Sequence, residues 1–123
     1  MLKPKLISQV LQQATTGGVK ATILLNLEGS LLAFAAQSDR DARIYGALTS
    51  NIWSIYSKHV KTETGPLSFL MLECEEGKVA VSMVSTMILC LVAQEDVELG
   101  ILKAKSEALT RHLEAPLSRV TGY

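Results

Sequence analysis

Along this 123-residue chain, apolar runs are broken by short polar turns that contain Gly. Asn26-Leu27-Glu28-Gly29-Ser30 separates Ala21-Thr22-Ile23-Leu24-Leu25 from Leu31-Leu32-Ala33-Phe34-Ala35. Glu75-Glu76-Gly77-Lys78 separates the apolar run from Leu67 to Leu72 from the run Val79 to Val84. An acidic residue just before Gly suits a short hairpin loop, because Gly tolerates the positive φ such loops need. The pattern predicts two hairpins, with strands over 20–26 and 31–36 and over 67–73 and 78–84. Thr86 to Ala93 reads as a fifth strand, joined to the fourth by a tight turn near Ser85. The first hairpin is apolar at nearly every position, so both faces of the sheet should be covered.

Three stretches change to a helical period. Pro4 suits a first helical turn, where a missing N–H costs nothing. Ile7, Val10, Leu11 and Ala14 recur behind it, predicting a helix over 4–15 that ends at Thr15-Thr16-Gly17-Gly18. Ser38-Asp39 can cap a second helix over 40–57, with Asp41 favourably placed in its first turn. Lys58 to Pro66 is polar and reads as a loop that takes in His59. A long third helix from Glu98 to about Arg119 carries a stripe of Leu102, Leu109, Leu113, Leu117 and Val120. Lys103, Lys105, Glu107 and Arg111 lie mostly outside that stripe, and Pro116 predicts a kink or fraying late in the helix. The element order is α-β-β-α-β-β-β-α.

The second helix carries two stripes rather than one. Ile44, Leu48, Ile52 and Ile55 recur at i, i+4, i+8 and i+11, and this larger apolar set is expected to face the home sheet. Opposite it run Ala42, Gly46, Thr49, Trp53 and Tyr56, three small residues and two amphipathic aromatics. Small side chains admit a close neighbour, and Trp and Tyr are enriched at interfaces, so this stripe is expected to face a partner. Burial within the chain's own domain is the alternative.

Composition narrows the function classes. The length suits one domain spanning 1–123. Apolar content is 48%, enough to leave a patch for a partner on so small a body. Twelve basic and twelve acidic residues cancel, without the basic excess that phosphate contacts require, so nucleic acid is not an expected partner. Cys74 and Cys90 lie in strand-like runs and read as reduced core thiols. No apolar run is long enough to span a bilayer, and no secretory signal or lipidation motif is present, so direct membrane insertion is not expected. His59 and His112 are far apart, no metal-ligand spacing occurs, and Gly17-Gly18 lacks the Lys-Ser/Thr of a phosphate loop. Glu73, Glu75 and Glu76 read as a solvated turn rather than an acid–base pair. No catalytic residue, metal or cofactor is expected.

Several strings together resemble one family. They are Met1-Leu2-Lys3-Pro4-Lys5, Gln9-Val10-Leu11, Thr16-Gly17-Gly18-Val19, Leu24-Leu25-Asn26 and Glu28-Gly29-Ser30-Leu31-Leu32-Ala33. Further on come Asp39, Asp41-Ala42-Arg43, Ser50-Asn51-Ile52-Trp53, Glu76-Gly77, Val79-Ala80, Leu89-Cys90 and Leu102-Lys103-Ala104-Lys105. With the element order, these resemble the roadblock (dynein light chain) superfamily, and within it the late endosomal and lysosomal adaptor subunits of Ragulator-type complexes. Ala35-Ala36-Gln37-Ser38 and the short 57–66 segment depart from that pattern.

The resemblance implies an α+β fold of the profilin-like type. Its five-stranded antiparallel sheet would carry the first and last helices on one face and the second helix on the other. It implies a heterodimer with a second roadblock-domain protein, through paired second helices and edge-to-edge third strands. The candidate interface is then Ala42, Tyr45, Gly46, Thr49, Trp53 and Tyr56 on the helix, with Leu67, Phe69 and Met71 on the strand. It also implies a scaffold on the cytoplasmic face of late endosomes or lysosomes, held there by a lipidated partner subunit. Such a scaffold binds Rag-type small GTPases, supports their nucleotide exchange and TOR complex 1 activation, and serves MAP kinase signalling. A dynein-associated cargo adaptor or a homodimeric GTPase regulator is the alternative within the superfamily. A small enzyme or ligand-binding domain is the alternative outside it, weakened by the missing catalytic constellation.

Overall fold

The structure, a computed structural model, describes residues 4–59, 69–74 and 77–118. Helix α1 (Pro4–Ala14) opens at its proline and ends before the Gly17-Gly18 pair. Strands β1 (Val19–Asn26) and β2 (Leu31–Ala35) form the first hairpin. Its turn is built locally: Asn26 Oδ1 accepts from the backbone N–H groups of Glu28 at 3.0 Å and Ser30 at 2.9 Å. Gly29 takes a φ of 92°, which L side chains rarely adopt. Helix α2 (Asp39–His59) begins at Ser38, whose Oγ accepts from the Asp41 N–H at 3.1 Å. His59 is the last residue of this helix rather than part of the expected loop.

Strands β3 (Phe69–Cys74), β4 (Gly77–Val84) and β5 (Met87–Ala93) follow, and α3 (Leu99–Ser118) closes the chain. The second hairpin is tighter than the pattern suggested, with pairing running through Glu73↔Lys78 to Cys74↔Gly77. The β4–β5 turn is Ser85-Thr86, and Ser85 has a φ of 57°. Helix α3 continues through Pro116, and Leu102, Leu109 and Leu113 of its stripe are buried. Val120 lies outside the described residues, and at Leu117 only the backbone is described.

The five strands form one antiparallel sheet in the order β2-β1-β5-β4-β3. Alternation sorts the side chains into two layers. On one face Leu24, Leu89, Leu91 and Ala80 meet Ile7 and Leu11 of α1 and Leu102, Leu109 and Leu113 of α3. On the other face Ala21, Ile23, Leu25, Val81, Ile88, Cys90 and Val92 pack with Trp53 of α2. The central strands β1 and β5 are therefore covered on both sides, as their continuous apolar runs required.

The two sheet edges differ. At the β2 edge, Leu24 pairs with Ala33 and Leu25 with Leu31, so Leu32 is an extra residue in a bulge. This five-residue strand lines an open cleft together with Ser8 and Gln12 of α1 and Arg43 and Ala47 of α2. At the other edge, β3 pairs only with β4 among the described residues. Helix α2 lies mainly over β1, β2 and β5. At the β3–β4 end of the same face, Leu70, Val79 and Met83 are only half-buried.

Candidate partner interface

Helix α2 sits on the sheet by its small residues. Ala42 is fully buried, Thr49 and Trp53 are 2% and 6% exposed, and Gly46 is buried with them. A Cβ at Gly46 would stand 3.2 Å from Leu25 Cδ2, so the missing side chain lets the helix settle on β1. Thr49 Oγ1 donates to Cys90 Sγ at 3.1 Å, joining the middle of α2 to β5. Burial pushes the Cys90 thiol up to about 11, and the Thr49 hydrogen bond opposes this only in part.

This reverses the expected orientation of the helix. Ala42, Gly46, Thr49 and Trp53 face the home sheet, not a partner. The larger stripe faces outward: Ile44 is 47% exposed, Leu48 55% and Ile55 56%, with Ile52 intermediate. The physical reason lies beneath the helix. The strand face under α2 is already filled by Ile23, Leu25 and Ile88, leaving room only for small residues and for Trp53. Tyr56 is 41% exposed, whereas Tyr45 is half-buried against the sheet layer. The signal that could have found this was the depth of the apolar runs in β1 and β5, which demands a close-fitting cover.

The second candidate surface is the β3 edge. Phe69 and Met71 turn toward the α1/α3 layer and are partly buried there. Lys103 of α3 reaches over this strand, its Nζ 5.9 Å from the Phe69 ring centroid. Glu73 points the same way, 67% exposed, with Oε1 4.0 Å from Lys78 Nζ. Lys78 Nζ also donates to the Val97 carbonyl at 2.6 Å. Leu67 lies outside the described residues. An outward apolar helix face and an edge strand are surfaces that bind protein by burial and by backbone pairing. His112 is exposed on α3. Among the described residues, no three His, Cys, Asp or Glu side chains gather as metal ligands would. No described helix is long and apolar enough to cross a membrane.

This combination of one sheet, three helices and a third strand that pairs on one side among the described residues has counterparts among known proteins. Residues 7–93 match the family model of the Roadblock/LC7 domain. The chain belongs to the Roadblock/LC7 family. The match runs from α1 through the end of β5. The chain is also similar to the Ragulator complex protein LAMTOR2 homolog of Caenorhabditis elegans, 30% identical over 124 residues, covering 98% of this chain and 97% of that one. In fold, this roadblock domain is similar to Myxococcus xanthus MglB, with a TM-score of 0.81 at 17% identity over 95% of this chain and 92% of that one. It is likewise similar to the Roadblock/LC7 domain from Streptomyces avermitilis, with a TM-score of 0.79 at 16% identity over 89% and 96% of the two chains.

Proposed function

We propose that this chain is a non-enzymatic adaptor subunit that pairs with a second roadblock-domain protein in a Ragulator-type complex. The observation that carries the reading is the outward face of α2, where Ile44, Leu48 and Ile55 stand 47–56% exposed, with Tyr56 at its rim 41% exposed. Isolated exposed apolar residues need no explanation, but three on one helix face with an aromatic at their rim form a patch that association would cover. The β3 edge, with its half-buried neighbours Leu70, Val79 and Met83, offers backbone pairing at the open end of the sheet face that α2 occupies. Similarity over nearly the whole length to a Ragulator subunit supports the choice of complex.

In this reading the pair sits on the cytoplasmic surface of late endosomes or lysosomes, held by a lipidated scaffold subunit. There it binds Rag-type small GTPases and supports their nucleotide exchange, TOR complex 1 activation and MAP kinase signalling. The test is co-expression with a Ragulator-type roadblock chain, followed by size-exclusion chromatography with mass measurement. A one-to-one complex that Ile55→Asp abolishes without unfolding the free chain is the expected result. A stable one-to-one complex that Ile44→Asp, Leu48→Asp and Ile55→Asp all leave intact would overturn the assignment of the outer α2 face. A purified single chain that speeds nucleotide release as well as the assembled complex would overturn the adaptor reading.

A further inference from the structure

The cleft beside β2 plays no part in the pairing proposed above. Helix α1 covers one face of the sheet and α2 the other, and both reach the edge strand, so a slot runs along β2 between them. Its volume is about 860 Å³, with Ser8 and Gln12 lining it from α1 and Arg43 and Ala47 from α2. Leu31, Leu32 and Phe34 of β2 are half-buried along its floor. Past Gln12 and Phe34 the slot continues into a second cleft of about 640 Å³. Ala35, Ala36 and Gln37 line that part, within the segment that departs from the family pattern. We propose that the slot is the docking site for an acidic amphipathic helix of a third chain, neither a second copy nor the roadblock partner. This contact is separate from the outer face of α2 and from β3, so it stands or falls independently of the pairing.

Charge, apolar surface and shape each select that occupant. Among the described residues lining the larger cleft, Arg43 alone is charged; it is exposed and joins no ion pair with another described residue. A carboxylate seated there meets a guanidinium with no competing acid, whereas a basic segment would add a second cation. Leu32 packs toward the α1 layer, and Leu31 and Phe34 toward the α2 layer, so an apolar seam follows the strand. A helix covers such a seam with a stripe of apolar anchors at i, i+3, i+4 and i+7. Layers pack about 10 Å apart, so helices on opposite faces leave a slot about one layer thick beyond the edge strand. A helix with its side chains is about 10–12 Å across. The five residues of β2 span about 17 Å, the length of about three helical turns. An added strand fits less well, because the bulge at Leu32 interrupts the pairing backbone. The hairpin turn stops the slot at one end, where a Cβ on Gly29 would stand 2.6 Å from Ser50 Oγ.

The experiment is selection of helical peptides from a displayed library on the purified full chain, followed by fluorescence anisotropy with the selected peptides. The expected binders carry an apolar stripe flanked by Asp or Glu. Arg43→Glu should weaken them by about tenfold or more, because it replaces an attraction with a repulsion. Ala47→Trp should abolish binding by filling the slot. Both positions are exposed, so thermal unfolding of either variant should match the unaltered chain. Ile55→Asp, on the outer face of α2, should leave peptide binding intact, and Arg43→Glu should leave a roadblock partner bound. The slot and the adaptor reading therefore fail separately. Selection that yields no binder, binders that are basic or extended, or binders that ignore both Arg43→Glu and Ala47→Trp would overturn the proposal. A chain that self-associates until Ala47→Trp is introduced would place a second copy in the slot, and would overturn it equally.

Discussion

On the inner face of α2, Ala42, Gly46 and Thr49 are buried against a sheet that leaves them little room. On the outer face, Ile44, Leu48 and Ile55 are larger and more apolar in sum, yet remain in contact with water. The contrast teaches that fit, rather than apolarity, decides which stripe of a helix a sheet accepts. A sheet face filled by Ile23, Leu25 and Ile88 takes a helix whose side chains are short at the crossing. Surface that is apolar but too bulky for that crossing is left exposed.

The sharpest way to break the comparison is to empty the inner face at its one large residue. Trp53→Ala should lower folding stability by about 3–5 kcal/mol, read by denaturant unfolding. Were Trp53 the partner contact instead, the free chain would unfold at the unaltered midpoint and only association would suffer.

The next largest effect uses the thiol beneath the helix. The unfolded Cys90 thiol ionises near 9.0, while burial holds the folded thiol protonated to about 11. The folded pKa is raised, so this contribution is fully present below about pH 9 and is lost as pH rises toward 11. The loss should approach roughly 2–3 kcal/mol. It is measured as the difference in stability slope between the unaltered chain and Cys90→Ala across that window. Equal slopes would mean that the thiol reaches water in the folded state.

Gly46→Leu probes the crossing itself. A Cβ there already comes within 3.2 Å of Leu25 Cδ2, so a full side chain must push the helix from the sheet. Overpacking of this kind costs about 1–3 kcal/mol, and here the cost should appear in thermal unfolding of the free chain.

Leu48→Ala, on the outer face, should have the smallest effect on folding, within about 0.5 kcal/mol, because it removes surface already wet. The same variant should weaken binding to a roadblock partner by about 1 kcal/mol or more if the face is an interface. Thermal unfolding and partner titration on this one variant separate the two faces of the helix.

Much of the fold was legible in the chain. Period changes marked every element, and Gly29, Ser38 and Ser85 marked turns and a cap whose geometry the structure reproduces. The candidate interface was legible only in part. Both α2 stripes were visible, but a period identifies stripes without saying which one meets the sheet. Assigning the larger stripe inward assumed that burial follows apolar content. The decisive fact, the volume already occupied by Leu25 and its neighbours, belongs to residues distant in sequence. Tyr45 shows the same limit: it sits between the stripes and ends half-buried. The α3 residue Lys103 was read only as a solvated charge, because its place over Phe69 depends on a contact across 34 positions, from 69 to 103.

The unequal edges of the sheet set a limit on assembly. The β2 edge is short, kinked by Leu32 and flanked by α1 and α2 across a cleft, whereas β3 pairs only with β4 among the described residues. A sheet open at both ends could add strands indefinitely and grow into a fibre. In the proposed pair each molecule takes its neighbour at β3, and the kinked β2 edges point outward. The bulge at Leu32 works against a further addition there, because it breaks the run of paired backbone groups that a new strand would need. Anything larger must be assembled through helices and loops, where specificity is set by side chains rather than by a repeating backbone.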